Sequence, residues 1–118
     1  MPNHDALNAS VASPAIGRAY YDDLIENFLD READHILGVL ARGGVFSVDP
    51  AQRDAWLVQI RILHATMQPY RNRGKLFFEY AIPRLGKRID VVAVIDHVLF
   101  VIEFKVGESD FSATATDQ

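Results

Sequence analysis

Asp90, Glu103 and Lys105 are the residues of this 118-residue chain whose types and spacing point to chemistry. They sit in two apolar runs rich in β-branched residues, Arg88 to Ile95 and Val98 to Val106, separated only by Asp96-His97. Such runs predict strands, and a two-residue connection predicts a hairpin. Counting outward from the loop, Ile95 faces Val98 and Asp90 faces Glu103. Opposed Cβ atoms lie about 5 Å apart, and Lys105, two residues on, reaches the pair diagonally. The neighbours on the charged face, Val92, Val94, Leu99 and Val101, are apolar. The opposite face is apolar too, which predicts a sheet covered on both sides with the charges at its rim. Two carboxylates at that spacing repel by about 3 kcal/mol at an effective dielectric of ~20. A hard divalent cation, Mg²⁺ or Mn²⁺, removes the repulsion and keeps its other positions for water and a substrate phosphate. Lys105 would then contact a phosphate oxygen or orient an attacking water. The alternative is an ion cluster in which Lys105 and Arg88 neutralise the acids, with no metal and no chemistry.

Charge along the chain adds a second signal. The total is −4, from 12 basic and 16 acidic residues, which argues against a general nucleic-acid coat protein. Yet Arg71, Arg73, Lys75, Arg84, Lys87 and Arg88 fall within eighteen residues that contain one acid, Glu79. A local basic patch binds phosphate in spite of an acidic total, while the plainer expectation for a charge run is a solvated rim. The patch leads directly into Asp90. Glu79 is a supplementary candidate for the site, expected on the same side of its strand as Phe77, with a salt bridge to Arg88 or Lys87 as the structural alternative.

The elements that must position these residues follow from periodicity. Met1 to about Ala15 is small and polar and reads as a mobile leader. Tyr21, Leu24, Ile25, Phe28, Leu29, Ile36, Leu37 and Leu40 follow helical spacing, so one helix is expected from Arg18 to Leu40, stopped by Gly43-Gly44. Asp49, Pro50 and Gln52 make an N-terminal cap for a second helix through Trp56, Ile60 and Leu63, ending near Pro69. Arg71 to Gly74 is a turn, and Lys75 to Ile82 opens the first of three strands, which Pro83 confines to an edge or an end. The expected fold class is α+β, two N-terminal helices followed by a three-stranded, mainly antiparallel sheet, with residues 16–118 as one domain.

Asp90, a twelve-residue spacer and then Glu103-Phe104-Lys105 in a hairpin, preceded by a helix and a strand, resembles the PD-(D/E)XK nuclease superfamily. The longer stretch from Phe78 to Asp90, with Val101 to Gly107, is similar to the nuclease-like segment that precedes a superfamily-one helicase in a group of bacterial proteins. The likeness extends upstream through Gln52, Ala55-Trp56 and Gln59-Ile60. It implies a truncated restriction-endonuclease-like core that hydrolyses phosphodiester bonds of DNA, with RNA second. It implies Asp90, Glu103 and the Phe104 carbonyl as Mg²⁺ or Mn²⁺ ligands and Lys105 as the residue that positions water and phosphate. Two departures stand out. Arg88-Ile89 replaces the proline expected before Asp90, and the helix and strand that normally follow Glu-x-Lys are missing, Gln118 standing where the first residue of that helix motif would begin. The implied whole is a longer helicase-nuclease of which this chain is the front part. An inactive nuclease fold that binds nucleic acid or protein is the alternative.

Other chemistries find no support. With no cysteine there is neither a disulfide framework nor a thiolate zinc site, and a reducing, cytoplasmic compartment is expected. No signal segment or membrane span is expected, nor any phosphate-binding loop. His4, His35, His64 and His97 lack metal-ligand spacing, and Trp56, Tyr20 and Tyr21 read as core. Three strands with an uncovered edge also predict association of copies.

Overall fold

The computed structural model describes residues 18–44 and 48–105. The leader, Val106 and the tail to Gln118 fall outside these residues. The elements are β1 (Tyr21–Leu24), α1 (Ile25–Asp30), α2 (Ala33–Gly43), α3 (Pro50–Thr66), β2 (Gly74–Ile82), β3 (Lys87–Ile95) and β4 (Val98–Ile102), with 3-10 turns at Gln68–Tyr70 and Pro83–Leu85. The four strands form one antiparallel sheet in the order β1-β2-β3-β4. No helix among the described residues is long and apolar enough to cross a membrane.

Two expectations about the first half are corrected. The run from Arg18 to Leu40 is a strand and two helices, not one helix, so among the described residues the sheet has four strands and there are three α-helices. Tyr21–Leu24 pairs with Lys75 to Phe78, and that long-range ladder overrides the local helical spacing. The periodicity still marks which side chains go inside, since Tyr21, Ile25 and Phe28 are buried, but Leu24 is 50% exposed. The helical path then breaks at Arg31 and Glu32, both extended with ψ of 147° and 150°. Asp23 stabilises this corner by accepting from Arg31 Nε (2.7 Å), Tyr21 Oη (2.8 Å) and Asn27 Nδ2 (3.2 Å).

The second half follows its local signals. Asp49 caps α3 by accepting from the Gln52 amide at 2.9 Å, with Pro50 as the first helical residue. Asp96 and His97 have φ of 52° and 69°, the left-handed pair that a two-residue type I′ hairpin turn needs. Arg73 clamps the turn, pairing with the Asp96 carboxylate while its carbonyl accepts the Asp96 amide at 3.0 Å. Gly74 lets the strands close there, because a Cβ at this position would overlap the Val94 carbonyl oxygen.

The helices cover the sheet face that carries Leu76, Phe78, Val91, Ala93 and Ile95, and Phe28, Ile36, Leu40 and Ile60 complete this core. The expected cover on both sides of the hairpin holds for β3, where Val91 and Val92 on opposite faces are both buried, and not for β4. Val98, Leu99, Phe100 and Val101 of β4 are 52%, 62%, 47% and 55% exposed, so β4 is an uncovered apolar edge. Alternation of apolar residues cannot distinguish a strand sandwiched between layers from one that borders the sheet.

Candidate active site

The hairpin register decides where the acids fall. β3 and β4 pair from Ile95↔Val98 outward to Val91↔Ile102, where regular pairing stops; continuing that register sets Asp90 opposite Glu103 at the next position. The Phe104 amide donates to Asp90 Oδ2 at 2.9 Å, which turns the chain end across Asp90 and keeps Glu103 beside it. Partial desolvation and then the Asp90 carboxylate push the Glu103 pKa above its usual value, against smaller opposing effects of the Asp90 amide and Lys87.

Glu79, which the β2–β3 register sets opposite Asp90, sits at an irregularity in β2. Its φ is 57°, and the ladder to β3 skips it, running Phe78↔Val91 and then Tyr80↔Ile89. The left-handed residue shifts the alternation of side chains. Phe77 and Tyr80, which an unbroken strand would place on opposite faces, meet edge to face at 5.8 Å. Glu79 turns instead to the helices, where Trp56 Nε1 donates to its Oε2 at 3.1 Å. The expected placement of Glu79 beside Phe77 is therefore corrected, since it rested on regular alternation. Burial is the main cause that raises the Glu79 pKa; Asp90 and Glu103 raise it further, while Trp56 and Arg88 lower it.

Arg88 supports the irregular strand. Its Nη1 donates to the Glu79 carbonyl oxygen at 2.7 Å and to the Arg18 carbonyl oxygen at 3.2 Å, and its guanidinium lies 4.2 Å from the Tyr20 ring centroid. Tyr20 in turn meets Trp56 edge to face at 6.3 Å. The guanidinium thus binds the backbone of Glu79; no ion pair between Arg88 and the Glu79 carboxylate occurs among the described residues.

The basic residues that are neighbours in sequence separate in space. Arg71, Arg73 and Lys75 lie at the hairpin-turn end of the β2–β3 ladder, and Arg84, Lys87 and Arg88 at the other. At a rise of about 3.3 Å per residue, a nine-residue strand sets these groups roughly 26 Å apart. The first group is paired, Arg71 with Asp30 at 2.8 Å, Arg73 with Asp96 and Lys75 with Asp22 at 3.5 Å, and it borders a cleft of about 710 Å³ with His97. In the second group Arg84 and Lys87 are exposed, and Lys87 and Arg88 line a shallower hollow of about 270 Å³. Lys105 is exposed beyond Glu103.

Trp56 is the contributor that sequence reasoning set aside. It is core, only 3% exposed, and it also donates to a site carboxylate; a helix-to-strand contact 23 residues apart leaves no local spacing signal. Gln59, one turn along α3, is 5% exposed, and its Oε1 has no hydrogen-bond partner. Among the described residues no group of three or more His, Asp or Glu is gathered so as to hold an ion by itself. The donor chemistry nevertheless suits Mg²⁺ or Mn²⁺, which bind through one or two carboxylates and leave their other positions to water and phosphate. The left-handed Glu79 and the hydrogen bond that brings the Phe104 amide onto Asp90, beside Glu103, mark this end of the sheet as the candidate site. Comparison with protein-family models, curated proteins and solved structures gave no significant match.

Proposed function

We propose that the chain is a metal-dependent nuclease-like domain that hydrolyses phosphodiester bonds of DNA, with RNA as the second substrate, and that it serves as one part of a larger helicase-nuclease. The observation that carries the proposal is the β3–β4 register, which ends one position short of Asp90 and Glu103, together with the hydrogen bond from the Phe104 amide to Asp90 that keeps Glu103 beside it. The resemblance of Asp90 and Glu103-Phe104-Lys105 to PD-(D/E)XK nucleases supports the same chemistry. Asp90 and Glu103 hold Mg²⁺ or Mn²⁺, with the Phe104 carbonyl as a backbone donor. When bound, the ion supplies Lewis-acid polarisation of the phosphate and acidifies a water toward neutrality. The protein's own part is positional. The Phe104 amide fixes the Asp90 carboxylate, Lys105 donates to a phosphate oxygen or orients the attacking water, and exposed Arg84 and Lys87 hold flanking phosphates. Arg71, Arg73 and Lys75 form a second phosphate contact at the far end of the sheet, where DNA must compete with their acidic partners.

The test is incubation of the purified chain with DNA and Mn²⁺ or Mg²⁺. Cleavage that requires the cation and falls about a hundredfold or more in Glu103→Ala and Lys105→Ala is the expected result. Cleavage indifferent to both substitutions contradicts the proposal. A second reading, a nuclease fold that binds without turnover, is favoured by the Phe104 amide occupying one Asp90 oxygen. Binding that weakens steeply with salt, without strand scission at any cation concentration, would establish it.

A further inference from the structure

Leu85 is 66% exposed, more than any other large apolar side chain among the described residues, and its chain neighbours are cations. It ends the 3-10 turn Pro83–Leu85 between β2 and β3, with Arg84 before it and Gly86-Lys87-Arg88 after it. A turn that only reverses the chain carries Gly, Asn, Asp or Ser at its tip, residues that suit the backbone and face water freely. The exposed apolar residues of β4 belong to an open strand edge, whereas Leu85 caps the two inner strands of the sheet. The tip is also held in place. Pro83 fixes its own φ, and the Gly86 amide donates to the Ile82 carbonyl oxygen at 3.0 Å and to the Pro83 carbonyl oxygen at 3.1 Å. Gly86 completes the turn in the left-handed region, with φ of 63°. A loop fixed in this way loses little freedom on docking.

The flanks of the tip are free to bind. Arg84 and Lys87 are exposed and form no ion pair among the described residues, unlike Arg71, Arg73 and Lys75 at the far end of the sheet. Lys87 lies three residues before Asp90 on β3, about 10 Å along the strand. Duplex DNA rises about 3.4 Å per base pair, so DNA gripped by this loop would bring to Asp90 a phosphate roughly three base pairs away. An apolar side chain between base pairs, with Arg or Lys beside it, is the means by which proteins wedge open the minor groove. A lipid surface also accepts an apolar tip ringed by cations, but one leucine buries far less than a single acyl chain, which is itself a marginal anchor.

We infer that the loop of residues 83–87 is a DNA wedge, in which Leu85 enters a base-pair step from the minor groove while Arg84 and Lys87 take phosphates on either side. The inference rests on the nuclease-like reading and adds to it the substrate class, double-stranded DNA, and the element that sets which phosphate reaches Asp90 and Glu103.

The test is binding of the whole chain to a short duplex with 2-aminopurine at a central TA step, in chelator so that no strand is cut. TA steps unstack readily, and 2-aminopurine brightens on leaving the stack. Wild type is expected to raise the fluorescence severalfold at saturation, and Leu85→Ala to bind without that rise. Leu85→Ala should keep the wild-type salt dependence, whereas Arg84→Ala with Lys87→Ala should lessen the slope of log affinity against log salt by about 1.8, at about 0.9 per phosphate. All three side chains are exposed, so the variants keep the fold. Duplex bound by wild type without a rise, a rise that persists in Leu85→Ala, or an unchanged slope in the double variant each overturns the inference and leaves the nuclease-like reading standing. Capture of wild type by phosphatidylserine vesicles that Leu85→Ala abolishes, with no 2-aminopurine response, overturns it in favour of a lipid surface. A wild-type chain that binds no duplex even at low salt removes the nuclease-like reading together with the inference.

Discussion

Replacing Glu103 by Gln should stabilise the cation-free protein and abolish its response to Mn²⁺. The amide keeps the shape and the acceptor oxygen of the side chain and removes the charge that faces Asp90. Unit charges about 5 Å apart repel by about 3 kcal/mol at an effective dielectric of ~20 and by ~0.8 kcal/mol in water. Glu103 is exposed at the sheet rim, so screening puts the relief near the lower figure, about 1 kcal/mol. For a domain of this size that corresponds to a rise in thermal midpoint of about 4–8 °C. The assay is circular-dichroism melting at neutral pH, with chelator and then with Mn²⁺. At about a hundred times its dissociation constant, Mn²⁺ should stabilise wild type by ~2.7 kcal/mol and reverse the order of the two proteins. The difference under chelator should also shrink on acidification, because a raised folded-state pKa penalises folding only while the carboxylate is ionised. A lower midpoint for Glu103→Gln in chelator would refute the reasoning, since Glu103 would then be a satisfied member of an ion cluster. An equal Mn²⁺ response in the two proteins would refute it as well.

Three further outcomes follow from the same structure. Burial alone would raise the Asp23 pKa, but the bonds from Arg31, Tyr21 and Asn27 outweigh it and hold the value below the ordinary carboxylate range. The advantage of wild type over Asp23→Asn in urea melts should therefore be full above about pH 5 and vanish as pH falls through that lowered value; an advantage that persists in strong acid would contradict the assignment. Phe28 is fully buried and meets His64, Phe78 and Tyr21 with centroids at 4.6, 5.6 and 6.4 Å, so Phe28→Ala should cost about 3–5 kcal/mol in urea unfolding, and a loss below 1 kcal/mol would show that this core is not formed. Leu99→Lys on the uncovered edge should leave the thermal midpoint nearly unchanged and reduce self-association in sedimentation; a marked loss of stability would mean that β4 is covered.

The parts of the fold that sequence made legible are those held by local chemistry. Asp49-Pro50 starts a helix, and two hydrophobic runs joined by Asp96-His97 have few ways to pair, so the register from Ile95↔Val98 to Val91↔Ile102 could be counted from the loop. The parts that stayed hidden depend on distant partners. Tyr21–Leu24 reads as helix until β2 offers it a ladder, and the corner at Arg31 exists because Asp23 collects three side-chain donors there. The six basic residues form a patch only along the chain, since the length of β2 divides them and Asp22, Asp30 and Asp96 take up three. Glu79 was hidden most deeply, because a left-handed residue inside a strand contradicts the alternation from which side-chain direction is read.

The most direct measurement is anomalous diffraction from crystals of the chain soaked in Mn²⁺. An anomalous peak bridging the carboxylates of Asp90 and Glu103 is the predicted result. A map without a peak there, or with the two carboxylates turned to opposite sides of the sheet, would contradict the account.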